Sequence, residues 1–355
     1  MDTPTAPATL AAHTPPPVEA LDPSIAQEAA RKLAKLHGAV ANVIFGQEEL
    51  ISLAVTGLLA GGHILLEGLP GLGKTELVKS FSKALHLDTK RVQFTPDLLP
   101  GDITGNPVLQ ETNGERRFVF QPGPVFTNLL LADEINRASP KTQSALLEAM
   151  QERRVTVLGQ THVLPEPFFV LATQNPIELE GTYPLPEAQV DRFLFKLEVN
   201  RAAPEVLQRI ITQRRLGEDP LLAPVMNRDE LLQLIALARR VFLPPVVVEY
   251  IARLVNASHP GQSQVAQSIK YGASPRAAIG LAAAARARAL LQGRGYTGAE
   301  DVQAVALPVL QHRLILHYQA RLEGLTSSEV AKRLVAEVPV EAKGLPRTLA
   351  AAKVM

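Results

Sequence analysis

At 355 residues, 46% of them apolar and 20% charged, the chain is long enough for two globular domains and too hydrophobic to be disordered overall. It contains no cysteine, which excludes disulfides, thiolate nucleophiles and Cys-ligated zinc. Its 36 basic and 35 acidic residues leave a net charge of +1, so composition makes no general case for nucleic acid as a partner.

Residues 1–24 carry six prolines and three charged residues and read as a disordered tail. No Lys or Arg precedes Arg31, so the start lacks the basic region of a secretory signal. The nucleotide-binding unit is expected over 25–203. A helical pattern runs from Ser24 to about His37. "NVIFGQEELISLAVTGLLAGG" then reads as a loop and a buried helix broken at Gly61-Gly62. The longest uncharged window, Leu50 to Leu66, is 17 residues, short of the roughly 20 apolar residues that span a membrane. A cytoplasmic protein without a membrane partner is the expectation.

"HILLEG" (63–68) is a short apolar strand. It leads into Gly68-Leu-Pro-Gly-Leu-Gly73-Lys74-Thr75, a G-x-x-x-x-G-K-[ST] loop followed by a helical pattern. Strand before and helix after make the loop a strong phosphate cradle. Glycines let the backbone N–H groups approach the phosphates, and the helix N-terminus adds positive potential. Gly68, Pro70, Gly71, Leu72, Gly73, Lys74, Thr75 and Glu76 form the candidate nucleotide set. Lys74 would meet the β- and γ-phosphates and Thr75 would ligate Mg²⁺, so ATP and Mg²⁺ are the expected ligands.

Further strands are expected at 90–95, 126–135, 167–173 and 192–199. A helix at 139–153 would be capped by Ser139, with Pro140 at its first position. Strands alternating with helices, in near-continuous apolar runs, predict an α/β fold with a parallel sheet core covered on both faces. Two hairpins interrupt the scheme, at 108–120 around Asn113-Gly114 and at 153–164 around Gly159. From Pro204 the strands stop. Residues 204–222 read as a linker helix, 223–335 as a smaller all-α domain and 336–355 as a tail.

Asp133-Glu134 closes the strand "NLLLADE". Asp133 beside the phosphate loop would hold Mg²⁺ through water, and Glu134 would polarise a water for attack on the γ-phosphate. A nucleotide kinase needs no such second acid, so the pair points to hydrolysis. Asn175, at the tip of the next strand, could bond the same water or the γ-phosphate. Arg276 lies in "GASPRAAIGL", in the first helical turn after a Ser274 cap and Pro275, and from a helical lid it could sense the γ-phosphate. Arg192 precedes the last strand, at a sheet edge, where it could reach a neighbour's phosphates more easily than its own.

This set resembles the AAA+ P-loop NTPases, and among them the MoxR family. The resemblance covers roughly 30–335 and rests on the phosphate loop, "LLLADEINRASPKTQSALLEAMQE" (129–152), "VLATQNPIELEGTYPLPEAQVDRF" (170–193) and "GASPRA" (272–277). It implies Walker A residues at Lys74 and Thr75 and a Walker B pair at Asp133 and Glu134. It also implies sensor 1 at Asn175, an arginine finger at Arg192 and sensor 2 at Arg276. "VIFGQEE" (43–49), with Gly46 and Gln47, corresponds to the segment beside the adenine. The helix-2 insertion falls at about 95–122 and the pre-sensor-1 hairpin at about 153–164. By resemblance the protein is a ring-forming homo-oligomer, usually a hexamer, with ATP at subunit interfaces. It would be a remodelling chaperone acting with a von Willebrand A-domain partner on clients awaiting a metal or cofactor. Minichromosome-maintenance helicases share the two hairpins. A nucleic-acid motor is thus the alternative, although Arg116 and Arg117 are the only basic pair at the hairpin tips.

Overall fold

The computed structural model describes residues 21–68, 72–112, 115–175, 181–199, 201–215, 218 and 220–341. Most of the Pro-rich tail, Pro70, Gly71, the Asn113-Gly114 turn and the end of the C-terminal tail lie outside the described residues. The strands are β1 Ile64–Glu67, β2 Thr89–Gln93, β3 Gly105–Thr112, β4 Glu115–Pro122, β5 Leu129–Asp133, β6 Arg154–Val157, β7 Gln160–Val163, β8 Phe169–Gln174, β9 Phe195–Glu198, β10 Ile269–Tyr271 and β11 Ile315–Leu316. The helices up to the lid are α1 Pro23–Ala41, α2 Glu48–Ala60, α3 Lys74–Leu85, α4 Pro100–Thr104, α5 Pro140–Glu152, α6 Glu187–Val190 and α7 Pro204–Gln213. Those of the lid are α8 Arg228–Arg240, α9 Pro245–Ala257, α10 Pro275–Leu291, α11 Ala299–Leu310, α12 Tyr318–Leu322 and α13 Ser327–Glu337.

Among the described residues the main sheet has five strands, all parallel, in the order β2-β5-β8-β1-β9. Every residue of β5 is buried, as the apolar run "LLLAD" demands of a strand covered on both faces. One hydrophobic cluster, with Val92, Leu130, Val170 and Phe193, fills the α5 side. The other joins β1 and α3 to α1, α2 and the lid helices, so the lid shares its core with the first two helices. Helix ends follow the local sequence. Ser139 caps α5 ahead of Pro140, and α2 stops at Gly61, which adopts φ +70°.

The hairpins form as β3–β4 and β6–β7, both antiparallel. The lid is not purely helical: β10 and β11 pair within it. Strands of three and two residues are too short to leave an alternation in the sequence. Ser274 does stand at the N-cap of α10, but its hydroxyl turns away from the helix to the Asp191 carboxylate, at 3.1 Å from Oδ2.

Candidate active site

A parallel sheet brings all its strand ends to one edge. Cross-strand register levels Glu67 of β1 with Gln174 of β8 and Glu198 of β9, and Gln93 of β2 with Asp133 of β5. The phosphate loop leaves β1 at this edge. Gly68 has no room for a side chain, because a Cβ there would sit 2.9 Å from the Val199 carbonyl oxygen. Gly73 adopts φ +84°, a conformation glycine takes without strain, and opens α3. Lys74 is buried and donates from Nζ to the Gly68 carbonyl at 2.8 Å, across the mouth of the loop. Burial lowers its pKa, while Asp133, Glu134 and Glu67 pull it back toward the charged form. Thr75 and Glu76 occupy the first turn of α3 and are half-buried.

Gln47 donates from Nε2 to the Leu72 carbonyl at 3.3 Å, so the 43–49 segment touches the phosphate loop directly. Gly46 adopts φ +67°, and a Cβ there would collide with the Val206 side chain of α7. Beside Gly46 and Gln47 opens a cavity of about 840 Å³ between α2, the end of β9, α11 and α13, with Leu50, Leu53, Leu197 and Leu307 in its walls.

The two acids are held by their neighbours on the sheet. Asp133 Oδ1 accepts the Thr173 hydroxyl at 2.6 Å, and Oδ2 accepts Arg91 Nη2 at 2.6 Å and Nε at 3.2 Å. Glu134 takes the left-handed conformation at φ 56°, ψ 51°, and its N–H donates to the Thr173 hydroxyl at 2.8 Å. Left-handed backbone at a residue other than glycine costs about 1–3 kcal/mol and concentrates at functional sites. Its carboxylate accepts Gln93 Nε2 at 2.7 Å and lies 3.3 Å from Arg137 Nε. Asn175 follows β8 at the same edge; it is buried, and its carbonyl accepts Asn136 Nδ2 at 3.2 Å.

Arg192 and Arg276 are elsewhere. Arg192 precedes β9, whose first residue is level with Ile64, the start of β1. It therefore stands at the amino edge of the sheet. Its Nη1 donates to the Leu147 carbonyl of α5 at 3.0 Å, and its side chain lines a cavity of about 440 Å³ with Gln151, Glu152 and Arg154. Arg276 is there too: Nη2 meets Gln151 Oε1 at 3.2 Å and Nη1 lies 3.6 Å from Asp191 Oδ2. The structure thus gathers Lys74, Thr75, Asp133, Glu134 and Asn175 at one edge, and sets Arg192 and Arg276 together at the other.

The sequence profile described as "ATPase family associated with various cellular activities (AAA)" matches residues 63–195, and that of the AAA lid domain matches 261–334. "Chaperone MoxR1" of Mycobacterium tuberculosis is 43% identical over 334 residues, 92% of this chain and 88% of its own. "Protein MoxR" of Methylorubrum extorquens is 31% identical over 306 residues, 80% of this chain and 87% of its own. The chain belongs to the MoxR family of AAA+ ATPases. A crystal structure from Cytophaga hutchinsonii, provisionally assigned as an ATPase, superposes with a TM-score of 0.83 at 39% identity, covering 90% of this chain and 98% of that one.

A MoxR-family chaperone of this kind hydrolyses ATP, and the geometry at the carboxyl edge supplies the parts for it. The partners that the sequence reading missed are Arg91, Gln93, Thr173 and Arg137. Arg91 and Gln93 are two apart on β2 and so share a face, which is readable from a strand's period of two. That β2 lies beside β5 is not readable from chain order.

Proposed function

We propose that the chain is an ATP-driven remodelling chaperone whose hydrolysis site is completed between two copies, in a ring that is a hexamer. The supporting observation is the separation of Arg192 and Arg276 from Lys74. After Arg192 the chain must still run the length of β9, about 3.3 Å for each of its four residues, to reach the level of Glu67. Arg192 moreover points at α5, away from its own phosphate loop. In a head-to-tail ring the amino edge of one copy faces the phosphate loop of the next. Arg192 then stabilises charge on the transferred phosphoryl group as an arginine finger, and Arg276 reads the same γ-phosphate.

In this reading the cavity beside Gly46 and Gln47 takes the base against its leucine walls. Glu134 activates the water and Asn175 orients it. Thr75 and Asp133 fit Mg²⁺, a hard cation that takes few protein oxygens and shares the rest of its shell with phosphate and water. Among the described residues no cluster of three His, Cys, Asp or Glu offers a cage for another metal. When bound, Mg²⁺ would neutralise charge on the β- and γ-phosphates. The work of hydrolysis is delivered, with a von Willebrand A-domain partner, to client proteins that await a metal or cofactor, in the cytoplasm. No helix among the described residues is long and apolar enough to cross a membrane. A nucleic-acid motor is not favoured: Arg116, one of the two basic residues near a hairpin tip, is paired with Glu111 at 2.9 Å.

The test is mixing. Arg192→Ala keeps its own pocket and loses its finger; Lys74→Ala does the reverse. Each alone should be inactive. Mixed, they should regain part of the ATPase activity, increasingly at higher protein concentration, because assembly obeys mass action. No recovery in mixed rings verified by mass measurement would overturn the shared site.

A further inference from the structure

The segment that carries Arg192 is gripped from behind by the lid. Residues 191–194 lie between α6 and β9, in neither helix nor strand. The carbonyls of this segment and of Lys196 in β9 are met by three consecutive residues after α11. Gln311 donates its amide to the Lys196 carbonyl. The half-buried His312, which desolvation holds below its ordinary pKa, donates from Nε2 to the Phe193 carbonyl at 3.1 Å. Arg313 takes the rest. Its Nε meets Asp191 Oδ1 at 2.7 Å, and Nη2 meets the carbonyls of Asp191 at 3.0 Å and Phe193 at 2.7 Å. Nη1 meets the Leu194 carbonyl at 3.1 Å and the Val309 carbonyl of α11. The side chain is 4% exposed, so water does not replace these bonds.

By contrast Arg192 is lightly held. Its Nη1 bonds Leu147, and its Nε is buried with no partner among the described residues. Its aim is set by the backbone it grows from, and that backbone is fixed by Arg313. The Asp191 carboxylate also takes the Ser274 hydroxyl at 3.1 Å and lies 3.6 Å from Arg276 Nη1, so one acid joins α10 to the same assembly.

We propose that Arg313 is a positioning residue for the arginine finger. By fanning over the carbonyls of residues 191, 193 and 194 it locks the Arg192 backbone to the lid, so that the lid's orientation in one copy sets the finger offered to the next. The inference rests on the reading of Arg192 as a finger that acts in the neighbouring copy.

The experiment uses the full chain and asks in which copy Arg313 matters. The reference mixture is Lys74→Ala, which donates the finger, with Arg192→Ala, which donates the pocket. Arg313→Lys, which keeps the charge but not the fan of donors, is then added to one or the other. In the finger donor it should cut the recovered ATPase activity by about 10- to 100-fold, the cost of an ångström-scale misplacement. In the pocket donor it should change recovery less than twofold. Equal loss in both placements would make Arg313 merely structural and overturn the proposal, and so would no loss in the finger donor. A reference mixture that fails to recover removes the finger reading itself, and this proposal with it. Circular dichroism and ring mass check each variant. If Arg313→Lys does not fold, Asp191→Asn takes its place; it keeps a carbonyl oxygen for Arg313 but removes the ion pair. It should show the same asymmetry, and equal loss in both placements would again overturn the proposal.

Discussion

His63 allows a stability effect to be worked through from one ring. It immediately precedes β1, the strand that delivers the phosphate loop. Its Nδ1 accepts the Val170 N–H of β8 at 3.0 Å, so Nε2 carries the proton and faces the Met150 carbonyl of α5 at 3.1 Å. A second proton would have to displace the Val170 bond. Burial pushes the imidazole down from 6.5 to about 4; the Met150 carbonyl opposes this and the charge of Arg153 adds to it. Above pH 6.5 the ring is neutral in both folded and unfolded chain and contributes no pH dependence. As pH falls from about 6.5 toward 4, the unfolded chain binds a proton that the folded chain refuses, and stability falls. At about 1.4 kcal/mol for each pH unit between the two values, the loss approaches about 3 kcal/mol at pH 4 and is about 2 kcal/mol between pH 7.5 and 5. His63→Gln offers a donor and an acceptor but does not titrate. Urea unfolding at several pH values should therefore show wild type losing about 2 kcal/mol more than His63→Gln between pH 7.5 and 5. His312, also held below its ordinary value by desolvation, is present in both proteins and cancels. Superimposable pH profiles for the two proteins would refute a buried neutral His63 as the cause.

Two further predictions concern the acids. Glu134→Gln should retain ATP binding by calorimetry while phosphate release slows by about 10²–10⁴-fold, the usual worth of a positioned base, whereas Lys74→Ala should weaken binding itself. Wild-type turnover in Glu134→Gln would remove the base assignment. Arg91 is half exposed and holds Asp133 Oδ2, so in the proposed site it would compete with a magnesium-bound water for that oxygen. An ion pair of that exposure is worth up to about 1 kcal/mol, so Arg91→Ala should lower the Mg²⁺ concentration for half-maximal turnover by up to about fivefold. A rise in that concentration would show that Arg91 supports the metal site rather than competing with it.

The strands were legible where burial leaves no choice of residue. β5 and β8 are apolar runs closed by polar residues, and both lie in the sheet's interior, covered on both faces. Helix starts were legible where a cap and a proline coincide, as at Ser139-Pro140. The same signature at Ser274-Pro275 located α10 and its N-cap residue correctly, but the Ser274 side chain makes no capping bond. There the hydroxyl donates to a tertiary acceptor, Asp191, and is turned away from the local N–H groups it would otherwise accept from. The β10–β11 pair escaped notice because so few residues carry no period.

For the site, chain order revealed which residues close a strand and hence which share the carboxyl edge. Asp133, Glu134 and Asn175 each directly end or follow a strand, and a parallel sheet leaves them nowhere else to go. Residues that lead into a strand are sent by the same rule to the opposite edge, and Arg192, three residues ahead of β9, is one of these. The case of Arg276 differs. It lies on a lid helix, and nothing in its own segment says which edge the lid overhangs. Its position follows from long-range contacts with Gln151 and Asp191, which are 125 and 85 residues away in the chain. Sheet polarity alone therefore separates the phosphate loop from Arg192, and the lid's docking puts Arg276 on the same side as Arg192. Two independent features of the fold thus set two basic groups at the edge opposite the phosphate loop, which is what the proposed site shared between copies requires.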